Sequence, residues 1–283
     1  MIYNNRYQLP ERVCRIIRGK YPIKQPNPER MSVTDLIAEP LIRTLYIEEW
    51  DKIVADYSDF LKATQGTALH AYYEQFTEED DDAEHKLEDS FAGFPFILVG
   101  KADNYLPDGT ILDVKQTKVY GPSYAIPKWT EQLNIYAWMR RHRNQPVDKL
   151  IVDVWYRDYD DKCKYYRNYP QCGYEEMELS LWSQEEALDY IQKQLANHRD
   201  NAHAKCSNAQ RGIRYEVYKN DNKTPSKVES TYAASSAWMD KTLQEEANSK
   251  KKKVNKYKVV ESDPVFCQRF CKARSVCSYC KGD

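Results

Sequence analysis

The chain has 283 residues, with 42 Lys and Arg against 43 Asp and Glu, for a formal net charge of −1. That balance excludes a protein held to nucleic acid by bulk charge alone, so any phosphate contact must come from a local basic path. The length suits one large domain or a domain with an appendage. No apolar run is long enough to span a bilayer, and Met1 and Ile2 lead into polar Tyr3-Asn4-Asn5-Arg6 rather than a secretion signal, so the expected location is the cytoplasm.

Apolar periodicity predicts helices over residues 10–18 and 33–50. A third, over 64–76, carries Gly66-Thr67-Ala68-Leu69-His70-Ala71-Tyr72-Tyr73-Glu74, and Gly66 or Thr67 can open it. His70 and Glu74 are four apart and share one face. A single helical histidine is more often a packing residue than a ligand, so His70 gains meaning only in company. The acidic run from Glu78 to Asp82 reads as an exposed loop tip.

Strands predicted at 94–105 and 110–118 flank Pro107-Asp108-Gly109. Proline presets φ, and glycine accepts the left-handed position of a three-residue loop with a bulge. With Leu106 facing Thr110, the register carries Asp103 opposite Asp113, and Lys115 falls on the same face as Asp113. Directly opposed side chains have Cβ atoms about 4.5–5.5 Å apart. Two carboxylates at that separation repel unless a cation neutralises them, and oxygen ligands suit Mg²⁺ or Mn²⁺. The plain alternative is a solvated hairpin that carries charges, because D-x-K triplets are common.

A helix predicted over 127–143 opens on Pro127 and sets Gln132 and Tyr136 on one face. Taken alone, these are a core tyrosine with a glutamine at its edge. Arg140, Arg141 and Arg143 end that helix; with the run Lys250 to Lys253 and with Lys272, Arg274 and Lys281 they are candidates for a phosphate path, each equally readable as solvated surface. The run Leu150-Ile151-Val152-Asp153-Val154-Trp155-Tyr156 has the content of a central strand, within 149–158. A further strand is expected at 175–180, and Ser183-Gln184-Glu185-Glu186 is a capping box opening a helix to about Asn201.

Residues 205–262 are polar and lysine-rich, with a loop at 220–225. The chain then ends on Cys267, Cys271, Cys277 and Cys280. Four cysteines this close in a chain without a secretion signal read as a closed Zn²⁺ site or an iron–sulfur cluster in preference to disulfides. Cys14, Cys163, Cys172 and Cys206 are scattered. The chain has 23 tyrosines; most suit core edges and strands, and exposed ones suit stacking on unpaired bases.

Taken in order, His70, Asp103, Asp113-Val114-Lys115 and Gln132 to Tyr136 resemble the PD-(D/E)XK nuclease superfamily, and within it the RecB-like exonuclease branch. The family pattern is a histidine in a G-x-x-x-H helix, an aspartate after a glycine, a D/E-x-K strand and a Q-x-x-x-Y helix. The resemblance covers about residues 30 to 160 and the cysteine tail; Ser32 to Pro40 is similar to the family's first helix. Cluster-bearing members place a cysteine just before that proline, where this chain has Glu39. Cys14 is then the other candidate for a distant ligand.

The resemblance implies an α/β fold: a central mixed β-sheet flanked by helices, like a restriction-endonuclease core, with a cysteine-bound C-terminal tail. It implies a nuclease core over 1–204, a polar appendage over 205–262 and a metal or cluster tail over 263–283. The implied activity is Mg²⁺- or Mn²⁺-dependent hydrolysis of DNA, as an exonuclease at ends with single strands, in replication, recombination or repair and beside proteins of those processes. The host would be a bacterium or a phage-infected cell. Asp103, Asp113, the Val114 carbonyl and His70 would hold the metal; Lys115 would orient or deprotonate water, or neutralise charge on the phosphate. Gln132 and Tyr136 would position DNA or the ligands, with Glu74 behind them. The tail would hold a [4Fe–4S] cluster or Zn²⁺ and serve folding. The competing readings are a non-catalytic nucleic-acid-binding protein with a zinc-stabilised tail, and a structural subunit with a dead nuclease fold.

Overall fold

A computed structural model describes residues 1–21, 24–76, 78, 82–83, 85–248 and 255–280. In chain order the elements are β1 (Ile2–Asn4), α1 (Glu11–Lys20), β2 (Arg30–Ser32), α2 (Val33–Leu36), α3 (Pro40–Glu48), β3 (Val54–Asp56), α4 (Leu61–Glu74), β4 (Lys86–Ser90), β5 (Ile97–Lys101), β6 (Asn104–Tyr105) and β7 (Thr110–Thr117). There follow α5 (Pro122–Arg141), β8 (Lys149–Tyr156), β9 (Tyr174–Leu179), α6 (Gln184–Asp200), α7 (Asn208–Arg211), β10 (Tyr215–Lys219), β11 (Lys227–Glu229), α8 (Tyr232–Ala247), β12 (Tyr257–Glu261) and α9 (Val265–Arg269). The class is mixed α/β, with mixed sheets flanked by helices.

The chain divides into two compact units. One comprises residues 1–40 and 54–202, the other 41–53 and 203–283. Residues 205–262 and 263–283 belong to one unit, and the segment 41–53 joins them.

The first unit is built on the four-stranded sheet β6-β7-β8-β9. β7 and β8 run parallel over their full lengths, from Thr110↔Lys149 to Thr117↔Tyr156, and both neighbours are antiparallel. Their buried faces meet α5 and α6 through Ile111, Leu133, Ile135, Leu150, Val152 and Ile191. A second sheet, β2-β5-β4, joins β5 parallel to β2 and antiparallel to β4, and β1 pairs with β3. The expected capping box closes on α6: the Ser183 Oγ accepts the Glu186 N–H at 3.1 Å, and the Ser183 N–H donates to Glu186 Oε2 at 2.7 Å.

Four boundaries differ from expectation, each at a nameable residue. The helix expected over 33–50 is two pieces, because Pro40 disfavours helical backbone at the residue before it and starts α3. The strand expected over 94–105 breaks at Ala102–Asp103 into β5 and β6. α4 begins at Leu61, ahead of the expected residue 64. α5 begins at Pro122, whose fixed φ suits a first turn, and carries Pro127 inside it.

In the second unit, the antiparallel sheet β11-β10-β12 is packed by α8. The sequence offered only a polar appendage here, because polar bonds do much of the holding. Glu246 on α8 accepts from Lys219 Nζ, Asn255 Nδ2 and the Tyr257 hydroxyl, each at 2.8 Å. These partners, Lys219 first, hold its carboxyl down at about 2. The Ser235 hydroxyl donates to the Tyr215 carbonyl at 3.0 Å, and Val217 is the buried apolar residue of β10. Among the described residues no helix is long and apolar enough to cross a membrane.

Candidate active site

The loop at Pro107-Asp108-Gly109 forms as its chemistry dictates. Gly109 takes φ +81°, its N–H donates to the Leu106 carbonyl at 3.0 Å, and Leu106 N–H donates to Thr110 O at 2.9 Å. The Asp108 carboxylate accepts the Thr110 N–H at 3.0 Å. The strands then pair Tyr105↔Ile111 and Asn104↔Leu112. The pairing stops there: extended by one residue the register would set Asp103 opposite Asp113, but Asp103 lies in the bend before β6, outside the ladder. The bend turns the Asp103 carboxylate into the place of a strand partner: its Oδ2 accepts the Val114 backbone N–H at 2.7 Å.

Around this point the other expected residues gather. His70 on α4 sets Nδ1 3.1 Å from Asp103 Oδ1. The two residues share a cavity of about 20 Å³ with Glu74, Tyr73, Asn104, Leu112 and Val114, room for a water molecule or an ion. Asp113 is only 2% exposed, and the Lys115 ammonium lies 2.6 Å from its Oδ2. That approach is close but poorly directed, so Oδ2 has a counter-ion without a well-aligned hydrogen bond. Burial raises the Asp113 pKa, Lys115 pulls it back, and the Asp103 charge pushes it up again. On α5, the buried Gln132 donates from Nε2 to the Tyr136 hydroxyl at 3.0 Å. The Tyr136 hydroxyl also reaches the Lys101 backbone; burial, ahead of the charges of Asp113 and Asp103, pushes its pKa up, so it stays protonated.

The donor chemistry fits a hard divalent cation: two carboxylates that repel each other, one of them buried, beside an imidazole. As they stand, His70 pairs with Asp103 and Lys115 with Asp113, the latter without an aligned hydrogen bond to Oδ2. Among the described residues, no three of His, Cys, Asp or Glu surround a common point in a metal-holding array.

Several expected phosphate contacts are engaged inside the fold. Arg140 is buried, with Nη1 2.5 Å from Asp82 Oδ2 and its guanidinium 4.5 Å from the Tyr105 ring centroid. Arg141 donates to the carbonyls of Trp182 and Val147, at 2.9 and 2.6 Å. Arg143 pairs with Asp89 at 2.8 Å. Asp82, expected at an exposed tip, also exchanges backbone hydrogen bonds with Tyr105. The Lys250 to Lys253 run and Lys281 lie outside the described residues.

One functional candidate carried no motif. Asp153 on β8 is Val114's register partner and is buried, and its two oxygens accept the hydroxyls of Tyr73 at 2.9 Å and Tyr174 at 2.8 Å. The Tyr73 oxygen in turn accepts Trp155 Nε1–H at 2.8 Å. Burial, ahead of the Asp153 charge, pushes the Tyr73 hydroxyl up to about 12. A carboxylate in the middle of a β-branched run was the available signal.

In the second unit Cys267, Cys271, Cys277 and Cys280 are all buried free thiols. With Leu41, Ile42 and Leu45 of α3, Phe266 and a fifth cysteine, Cys206, they line a cavity of about 10 Å³, without forming a metal-holding array among the described residues. The neighbouring thiols Cys267, Cys271 and Cys277 all bear on Cys280. Burial pushes the Cys271 and Cys280 thiols up, so both are protonated as they stand. Lys272 lies 4.5 Å over the Tyr46 ring of α3, and Arg274 Nη1 donates to the Arg269 carbonyl at 3.0 Å. Cys14, the other candidate ligand, is buried against Ile17 and Tyr57 in a separate cluster of the first unit.

No family model matches the chain, and no curated protein matches it. Among solved structures it is similar to the crystal structure of SSO0001, with TM-score 0.50 and 16% identity over 71% of this chain and 90% of that one. A phage related exonuclease from Haemophilus somnus 129PT matches at TM-score 0.31 and 12% identity, over 68% of this chain and 79% of that one. The first likeness is one of fold alone, and the second is too loose to carry weight.

Proposed function

We propose that this chain is a metal-dependent deoxyribonuclease of the PD-(D/E)XK type, an exonuclease acting at DNA ends in replication, recombination or repair. The observation that carries the reading is the hairpin: Asp103 bonded to the Val114 N–H at 2.7 Å, its charge felt by the adjacent Asp113, Lys115 paired to Asp113 at 2.6 Å, and His70 3.1 Å from Asp103. A buried carboxylate facing a second one is costly in a purely structural hairpin and useful where a cation is to be held.

His70, Asp103, Asp113 and the Val114 carbonyl would hold Mg²⁺ or Mn²⁺, with the imidazole favouring Mn²⁺. When bound, the cation supplies Lewis acidity toward the phosphate and lowers the pKa of a water. Lys115, 2.6 Å from Asp113, would orient or deprotonate that water, or neutralise charge developing on the phosphate. The Gln132–Tyr136 pair, fixed by its own hydrogen bond and by the Lys101 backbone, would position the DNA backbone or the ligands. The four buried thiols would take Zn²⁺ or an iron–sulfur cluster as a folding centre, and cation uptake there must displace the protons that burial holds on Cys271 and Cys280. An absorption spectrum of anaerobically purified protein separates the two.

The test is digestion of end-labelled single- and double-stranded DNA with Mg²⁺, with Mn²⁺ and with EDTA. Cation-dependent loss of label from an end supports the reading. Binding without cleavage under every condition would instead favour a non-catalytic nucleic-acid-binding protein.

A further inference from the structure

Beside the small cavity of His70 and Asp103 lies a much larger groove of about 720 Å³, within the range of ligand-binding clefts. It is mostly apolar, with Leu69, Leu106, Pro107 and Leu112 in its lining. Tyr73, Asn104 and Leu112 line both spaces, so the groove runs directly into the candidate active site. Three large aromatic side chains stand on its walls with much of their surface in water: Tyr72 at 61%, Phe76 at 69% and Trp155 at 40% exposed. Such a set of rings is a binding feature more often than a packing one.

The aromatic wall is also built to be rigid. The Trp155 indole N–H is tied to the Tyr73 hydroxyl, and Tyr73 and Tyr174 are tied to the two oxygens of buried Asp153. Trp155 thus sits between two rings held edge-on, with centroids at 6.3 Å from Tyr73 and 5.7 Å from Tyr174. Tyr72 and Phe76, in the same lining, lean together with ring centroids 5.0 Å apart. A fully used buried carboxylate that fixes surface aromatics is pre-organisation for a flat ligand. The charged groups of the lining give the sign: Glu78 and Asp108 are acidic, and Asp108 is held below the usual carboxylate range by its bonds to Thr110. Phosphates are repelled from such a lining, whereas uncharged planar rings are not.

We infer that this groove takes the unpaired bases of a single-stranded DNA end, stacked on Tyr72, Phe76 and Trp155, and feeds the adjoining phosphodiester to the acid pair. The inference rests on the nuclease reading for its choice of ligand. Duplex DNA presents its phosphates outward and keeps its base faces covered, so it cannot use these walls without melting. Stacking is sequence-tolerant, so the groove selects strandedness and not sequence.

The experiment is fluorescence anisotropy of the full chain in EDTA, where cleavage cannot interfere. The probes are a short end-labelled single strand, the same strand with abasic residues at its end, and a blunt duplex. The intact single strand should bind at least about tenfold more tightly than either of the others. Trp155→Ala and the Tyr72→Ala/Phe76→Ala pair should each raise Kd for the intact strand about tenfold or more while leaving the abasic strand unchanged. Trp155→Phe should restore most of the affinity. Because Tyr72 and Phe76 are so exposed, their loss leaves the core intact, which a circular-dichroism melt checks. Equal binding of duplex and single strand, indifference to missing bases, or wild-type affinity in both aromatic variants overturns the inference. A chain that binds as described yet cuts nothing with Mg²⁺ or Mn²⁺ keeps the groove and loses the nuclease reading.

Discussion

Gly100 is where the site depends on an atom that is missing. It lies in β5, under the stretch of α5 that carries Gln132 and Tyr136. A Cβ at this position would fall 2.4 Å from Met139 Sδ, 3.3 Å from Met139 Cε and 3.2 Å from Tyr136 Cδ1. Carbon and sulfur need about 3.5–4.0 Å, so the sulfur must retreat by roughly an ångström. Met139 is fully buried, and its methyl is crowded by the same new atom, so the side chain cannot simply swing aside. Gly100→Ala should therefore cost about 1–3 kcal/mol, the range for overpacking a core. Because Tyr136 is the other neighbour, the same change should lower DNA cleavage by more than the lost stability explains; a shift of about 1 Å at a positioning group is worth up to about 10²-fold. Gly66→Ala is the matched control: nothing lies within 4 Å, and the site is inside α4, so the substitution should gain about 0.5–1 kcal/mol. Urea unfolding reads both as shifts in midpoint at constant m. A Gly100→Ala protein as stable as wild type would refute the claim that α5 needs this close approach.

Asp153→Ala leaves the Tyr73 and Tyr174 hydroxyls without their acceptor, and should destabilise by about 2–4 kcal/mol, read from the urea midpoint, with Tyr174 partly compensated by water. Glu246 sits below its unfolded value, so its contribution is fully present above about pH 4.5 and is lost as the pH falls toward 2. The gap in melting temperature between wild type and Glu246→Gln should therefore narrow across that window; a constant gap would contradict the assignment. Cys271→Ser should free the C-terminus to limited proteolysis, and zinc or iron uptake by the wild type should tighten as pH rises, because burial keeps the Cys271 and Cys280 thiols protonated. Uptake that is indifferent to pH would argue against thiol ligands.

The hairpin was legible because its turn is written in three adjacent residues, and the capping box at Ser183 because both of its halves are four residues of sequence. The strand β8 was legible from its β-branched and aromatic content, whereas its parallel pairing with β7 was not. What stayed hidden depends on partners far apart in the chain. Asp153 meets Tyr73 across 80 residues, and Arg140 meets Asp82 across 58, so neither a buried carboxylate clamp nor a sequestered arginine follows from local spacing. The sheet of the second unit escaped notice for another reason: its strands bury little apart from Val217 and rely on charged pairs such as Lys219 with Glu246. A two-residue alternation needs an apolar face to be visible, and this sheet lacks one over most of its length.

The central claim is that one hairpin holds both the cation and the group that acts beside it. Its most direct measurement is digestion of end-labelled DNA in Mn²⁺ by wild type, Asp113→Ala and Lys115→Ala side by side, each with its bound Mn²⁺ counted after gel filtration. Cleavage by the wild type alone is predicted, with Mn²⁺ lost from the Asp113→Ala protein and retained by the Lys115→Ala protein. Wild-type digestion by either variant, or none by the wild type, would contradict it.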